Sequence, residues 1–272
     1  MPKPLIIGHR GASAAAPENT MVAFERAMDD GADGVEFDVQ LARDGVPVVI
    51  HDASLKRTGL RSARVAELSS GELEKLDVGT WFNLRNPARA RQEYRDATVP
   101  TLAGVLEYFK RREAVLYIEM KCSNRDSCTL ATEVVRLINK NQLANRAVVE
   151  SFALDSIRDV KRIDPAIRTA ALFEPKISRP VRSKLGMIES ALTYDANEIA
   201  LHRTLVSVRA IEEAKRHDLH VVVWTVDHPS WIGKSIKSGI RAIITNEPAR
   251  MFNERRDFTA TNIQLSSNAP LP

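Results

Sequence analysis

In Gly34-Val-Glu36-Phe-Asp38-Val39, two carboxylates stand two residues apart in an apolar run. If the run is a β-strand, both project from one face, because side chains alternate across a strand. On a strand buried on both sides, two like charges this close resist ionisation unless a cation sits between them. A hard divalent ion meets that need. The same spacing recurs in Glu119-Met-Lys121, at the end of another apolar run, adding a third carboxylate and an ammonium. Oxygen donors with no neighbouring cluster of cysteine or histidine ligands favour Mg²⁺ or Ca²⁺ over zinc. Glu36, Asp38 and Glu119 are therefore the candidate metal ligands. Taken singly, each reads more simply as half of a salt bridge; recurrence at two strand ends carries the metal reading.

His9 ends the run Leu5-Ile-Ile-Gly8, and His51 ends Pro47-Val-Val-Ile50. With an unperturbed pKa of about 6.5, one imidazole can be neutral while the other is charged, so the pair can act as general base and general acid. Arg10 is a permanent planar cation suited to phosphate oxygens. Other residues carry blander readings. His202, His217, His220 and His228 read as loop or packing histidines, and Trp224 and Phe152 as apolar aromatics that line a pocket or fill a core.

Something must bring these distant residues together. Further runs rich in β-branched residues lie at 114–118, 147–151, 169–173, 198–201, 220–226 and 241–245. They start roughly 20 to 35 residues apart, the length of one strand plus one crossover helix. Segments such as Ser156 to Ile163 and Val208 to His217 show helical spacing between them. If 46–50 is a hairpin continuation of the second strand, eight βα units remain, the number that closes a parallel barrel. An open doubly wound sheet is the alternative. A chain of 272 residues accommodates one such barrel or two small domains. In a barrel, His9, His51 and the carboxylates all end at one mouth.

Residues 53 to 100 break the rhythm and predict an insertion over that mouth, either a lid or a packing excursion. The expected organisation is a barrel domain over 1–252 with this insertion, followed by a polar tail over 253–272. At 44% hydrophobic and 27% charged residues, the composition excludes disordered, collagen-like and coiled-coil chains. The net charge of +4 suits an anionic substrate and is too small to argue for nucleic acid, which is not expected as a partner. The run Arg85, Arg89, Arg91 and Arg95 reads as a solvated face, or as a surface for polyanions or acidic lipid headgroups. The first residues lack the apolar core of a secretory signal, and no stretch has the roughly 20 apolar residues of a membrane span. A cytoplasmic location without membrane insertion is expected. Cys122 and Cys128 suit a reducing compartment, with a local disulfide as the lesser reading. No P-loop or Gly-x-Gly-x-x-Gly follows the first strand.

The order of motifs is more specific than any one of them. His9-Arg-Gly11 with Pro17-Glu-Asn-Thr20, then Glu36-Phe-Asp38, Asp44-Gly-Val-Pro-Val-Val-Ile-His51-Asp52 and Glu119-Met-Lys121 resembles the glycerophosphodiester phosphodiesterase family. Val99-Pro-Thr-Leu102, Ser151-Phe152, Trp224-Thr-Val226 and Ile244-Thr-Asn-Glu-Pro248 extend the likeness nearly to the last strand. The resemblance implies a (β/α)8 TIM barrel with a small insertion after the second strand. It implies a divalent ion on Glu36, Asp38 and Glu119, acid-base catalysis by His9 and His51, and phosphate contacts from Arg10 and Lys121. The implied reaction converts a small-molecule glycerophosphodiester into sn-glycerol 3-phosphate and an alcohol. The chain departs from the family pattern at Ala42, where Thr is common, and at Arg57-Thr58-Gly59, which lacks a second Thr. Neither departure removes a group that the chemistry uses; both bear on substrate preference.

Overall fold

The computed structural model describes residues 3–122, 126–175 and 184–267. Strand β1 (Leu5–His9) leads to α1 (Met21–Asp29), and β2 (Gly34–Leu41) doubles back as the short β3 (Pro47–Val49). The small helices α2 (Ser70–Leu73) and α3 (Thr80–Arg85) follow. Alternation then resumes with α4 (Leu102–Lys110), β4 (Val115–Met120), α5 (Ser127–Lys140), β5 (Ala147–Ser151), α6 (Leu154–Ile163) and β6 (Arg168–Phe173). It ends with α7 (Lys184–Thr193), β7 (Glu198–His202), α8 (Val208–Arg216), β8 (His220–Trp224), α9 (Trp231–Ser238), β9 (Ala242–Thr245) and α10 (Pro248–Ser267).

Eight strands are parallel neighbours in the order β1-β9-β8-β7-β6-β5-β4-β2, and pairing of β1 with β2 closes the ring. This is the (β/α)8 barrel that the spacing of the apolar runs predicts, and the closing pair excludes the open sheet. Strand β3 lies antiparallel to β2, with Val39 opposite Val49, as the hairpin reading requires.

Alternation along each strand sorts the side chains. Ile7, Tyr117, Val148, Leu172, Val222 and Ile244 help fill the barrel interior. Phe37 takes the outward position on β2, where its ring lies 5.5 Å from that of Phe24 on α1. Its neighbours Glu36 and Asp38 must then point inward. At the amino ends of the strands the interior is plugged by Glu198, which is fully buried. It accepts a hydrogen bond from Tyr117 at 2.8 Å and pairs with Arg168 and Arg241. At the carboxyl ends the ring is open.

The 53–100 segment has a small core of its own in which Leu55, Val65, Leu73 and Val78 pack under Val48 and Ile50. Trp81, Phe82 and Tyr94 pack against Ala16 and Ala23. Tyr94 donates a hydrogen bond to the Ala15 carbonyl at 2.9 Å, and Arg89 donates to that of Ala14. The segment is thus anchored as a wall beside the mouth.

The residues from Asn253 onward, expected as a polar tail, continue α10 as far as Ser267. Met251 and Phe258, seven residues apart, share a helical face against the barrel wall, and Arg255 pairs with Asp33. Residues 268–272, part of the expected tail, lie outside the described residues. Cys122 and Cys128 are free thiols. Among the described residues, no helix is long and apolar enough to cross a membrane.

Phe37 is fully buried and sets which way β2 faces. Phe37→Ala is expected to cost about 3–5 kcal/mol, through lost burial and the cavity left behind, measured by urea unfolding.

Candidate active site

Strand β1 enters the mouth at His9, and the chain turns sharply there. Arg10 adopts a left-handed backbone (φ 54°), which costs energy for a residue with a Cβ. The turn returns that cost in contacts. It places the Arg10 backbone N–H 3.0 Å from Glu36 Oε2 and the guanidinium Nε 3.1 Å from Asp38 Oδ2. Gly11 follows with φ 80°, and a Cβ there would lie 2.5 Å from the Ala23 backbone, so only glycine fits.

Oxygens of Glu36, Asp38 and Glu119 all lie within 4.8 Å of one another, and all three residues are buried. The register explains this convergence, since Asp38 stands opposite Glu119 where β2 pairs with β4. Lys121 Nζ lies 2.7 Å from Glu119 Oε1 and 3.2 Å from Asp38 Oδ1. Asn19 donates to Asp38 Oδ2 at 2.7 Å and accepts from the Asp38 backbone N–H at 3.2 Å.

These charges are unequally tolerated. Burial opposes ionisation of Asp38, but Arg10 and Lys121 outweigh it and hold this carboxyl well below its ordinary range. Burial, then Asp38 and Glu119, push Glu36 far up. Burial and Asp38 raise Glu119 to about 8. The three cannot all be ionised here without more positive charge than Arg10 and Lys121 supply. One oxygen each of Asp38 and Glu119 is sealed from water and off hydrogen-bond alignment. A hard, oxygen-only donor set with surplus negative charge fits Mg²⁺ or Ca²⁺.

The histidines are held differently. His9 Nδ1 is 2.7 Å from Asn246 Oδ1, and its Nε2 is 3.8 Å from Glu36. Burial and then Arg10 lower its pKa to about 4. His51 Nδ1 is 2.7 Å from Asp52 Oδ1, and Arg57 holds the other oxygen of Asp52 at 2.6 Å. Burial lowers His51 as well, opposed by Asp38 and by Asp52.

His9, Arg10, Glu36, His51, Glu119 and Lys121 line one cavity of about 380 Å³, with Asp38 buried beside Glu119. Phe152 and Trp224 form an apolar wall, their ring centres 5.6 Å apart. A larger cleft of about 460 Å³ lies between the start of α10 and the insertion. Its arginines are already engaged, Arg26 by Asp30, Arg89 by the Ala14 carbonyl and Arg250 by Glu247, so it offers no comparable chemistry.

Residues 9–250 match the model of the glycerophosphoryl diester phosphodiesterase family. The chain belongs to this family. It is 31% identical over 253 residues to a glycerophosphodiester phosphodiesterase of Caldanaerobacter subterraneus subsp. tengcongensis, covering 92% of this chain and 97% of that one. It is 35% identical over 255 residues to one of Bacillus altitudinis, covering 93% and 98%. Its fold is similar to the solved structure of an Oleispira antarctica phosphodiesterase in complex with the product sn-glycerol-3-phosphate. That match has a TM-score of 0.80 at 25% identity over 93% of this chain and 96% of that one. The chain is accordingly a hydrolase of the phosphodiesterase class.

In this phosphodiesterase the site includes residues to which the sequence reading gave no role. Glu150 lines the cavity with one buried oxygen lacking a hydrogen bond, and burial together with Glu36 and Glu119 raises its pKa far above normal. The strand-end rule that singled out Glu119 also applies to Glu150, opposite it on β5. Glu18 joins Arg10 (2.8 Å) to Arg57 (2.7 Å), tying the insertion to the mouth. Trp224, which the sequence leaves as pocket lining or core filling, does both, walling the mouth and packing on the interior cluster, and the His202 ring packs 5.3 Å from it at the rim.

Adding Mg²⁺ or Ca²⁺ is expected to raise the thermal unfolding midpoint, by about 2.7 kcal/mol of stability at a hundred times Kd. Glu36→Gln is expected to abolish that gain while leaving the chelated protein at least as stable as the parent, because it removes a carboxyl that must take up a proton to be buried without the ion. Calorimetry with and without chelator reads both effects.

Proposed function

We propose that the protein hydrolyses glycerophosphodiesters to sn-glycerol 3-phosphate and an alcohol, using a divalent ion and two histidines. The observation that carries this reading is the meeting of three buried carboxylates, two imidazoles and two cations at one cavity. The Oleispira relative's bound product supports the glycerol phosphate half of the substrate.

Glu36, Asp38 and Glu119 would hold the ion, which supplies electrophilic charge to the phosphoryl oxygens when bound. Arg10 and Lys121 bind the phosphate and stabilise charge building on it. His9, neutral at physiological pH and with Nδ1 engaged by Asn246, accepts the proton of the attacking oxygen at Nε2. His51, lowered by burial with Asp38 and then Asp52 opposing that shift, is oriented through Nδ1 by Asp52 and donates a proton to the departing alkoxide. The attacking oxygen is the C2 hydroxyl of the substrate glycerol, giving a cyclic phosphate that water opens with the histidine roles reversed. Phe152 and Trp224 shield the carbon face of the glycerol from water.

A second reading, hydrolysis of lysophospholipids by the same site, is favoured by Leu60 and Leu84. Both are more than half exposed on the insertion beside the mouth. Assaying glycerol 3-phosphate from glycerophosphocholine and glycerophosphoethanolamine, and choline from a lysophosphatidylcholine, separates the two substrate readings. Turnover of the first two that is lost with chelator is expected; turnover of none refutes both.

His9→Ala and His51→Ala are each expected to lower kcat about 10²-fold or more. A substrate lacking the C2 hydroxyl is expected not to turn over, and undiminished turnover would show direct attack by water.

A further inference from the structure

Asn246 follows β9 and Asp227 follows β8, and both lie behind His9 relative to the cavity. Asp227 Oδ2 accepts a hydrogen bond from the Asn246 side-chain Nδ2 at 2.9 Å. Its Oδ1 accepts from the Asn246 backbone N–H at 2.8 Å and from Thr245 Oγ1 at 2.9 Å. An ionised carboxylate only accepts hydrogen bonds, so it can face only the NH₂ side of the Asn246 amide. The amide oxygen is thereby turned toward His9 Nδ1, 2.7 Å away, and Ser13 Oγ donates to the same oxygen at 2.9 Å. An oxygen facing Nδ1 requires that nitrogen to carry the ring proton.

We infer that Asp227 is a positioning residue that acts through Asn246 to fix the tautomer of His9, leaving the Nε2 lone pair directed at the substrate. The chain of three rests on the reading of His9 as the proton acceptor and adds what holds it in the competent form. Without Asp227, the two orientations of the Asn246 amide differ little on that side, and one of them presents N–H to His9. In that orientation the ring proton moves to Nε2 and the base is blocked. The motif around His9 and its position on β1 explain where the imidazole sits; the pair 227 and 246 explains which nitrogen reacts.

Asp227→Asn is the isosteric test. It keeps an oxygen for Thr245 and the Asn246 backbone, but sets one NH₂ against another and so turns the Asn246 amide over. The expected result is a kcat lower by about 10²-fold with KM changed by no more than about twofold. The ¹⁵N spectrum of labelled histidine, with His9 assigned through His9→Gln, should show the ring proton moved from Nδ1 to Nε2. The double variant Asp227→Asn with Asn246→Asp exchanges amide and carboxylate and restores every donor to an acceptor. It should recover the native tautomer and turnover to within about tenfold.

A parent protein whose neutral His9 carries its proton on Nε2 overturns the inference without any variant. So does Asp227→Asn with native tautomer and native kcat, or a folded double variant that recovers neither. Undiminished turnover in His9→Ala, with the parent's His9 proton found on Nδ1, would instead overturn the acid-base reading and not the positioning of the ring.

Discussion

The site is governed by crowded negative charge. Glu36, Asp38 and Glu119 place oxygens within 4.8 Å of one another where water cannot screen them. Arg10 and Lys121 settle only part of that charge, and their effect falls mainly on Asp38. Glu36, Glu119 and Glu150 are left poorly disposed to ionise. The barrel contributes the rigidity that keeps like charges together, in a cluster that could hold a metal ion.

The closed ring converts a local rule into a shared location. A two-residue period aims His9, Glu36, Asp38, Glu119 and Lys121 inward, and parallel pairing puts their strand ends on one side. Close contacts then refine the arrangement. Arg10 is bent into an unfavourable backbone so that it serves three carboxylates, Glu36, Asp38 and Glu18, and Gly11 exists because the Ala23 backbone leaves no room for a side chain. The two imidazoles gain different characters from different partners, a neutral amide at His9 and a carboxylate at His51.

Much of this was legible in the chain because it is periodic. Apolar runs at strand-plus-helix spacing give the barrel, and charged or imidazole groups at run ends give the mouth. The insertion at 53–100 and the polar composition from Asn253 were legible too, but not how either packs. The 53–100 wall is built from short helical turns and one-residue bridges, whose packing depends on partners such as Ala15 and Glu18 far away in sequence. Residues 253–259 read as polar because that stretch of helix half-buries only scattered positions such as Phe258. Asn246 and Asp227 lay within or beside motif residues, but an amide has no titration signature and their pairing spans two barrel loops. Trp224 was read by its type, while only the strand order shows that it caps an inward-facing row.

The plug formed by Glu198, Tyr117, Arg168 and Arg241 seals the far end of the barrel interior. Traffic is therefore single-ended: whatever enters must leave by the way it came. Both fragments of a cleaved diester would share that one exit, the fragment farther from the carboxylates being the outer one. A large outer fragment that lingers would slow the next cycle even when bond breaking is fast.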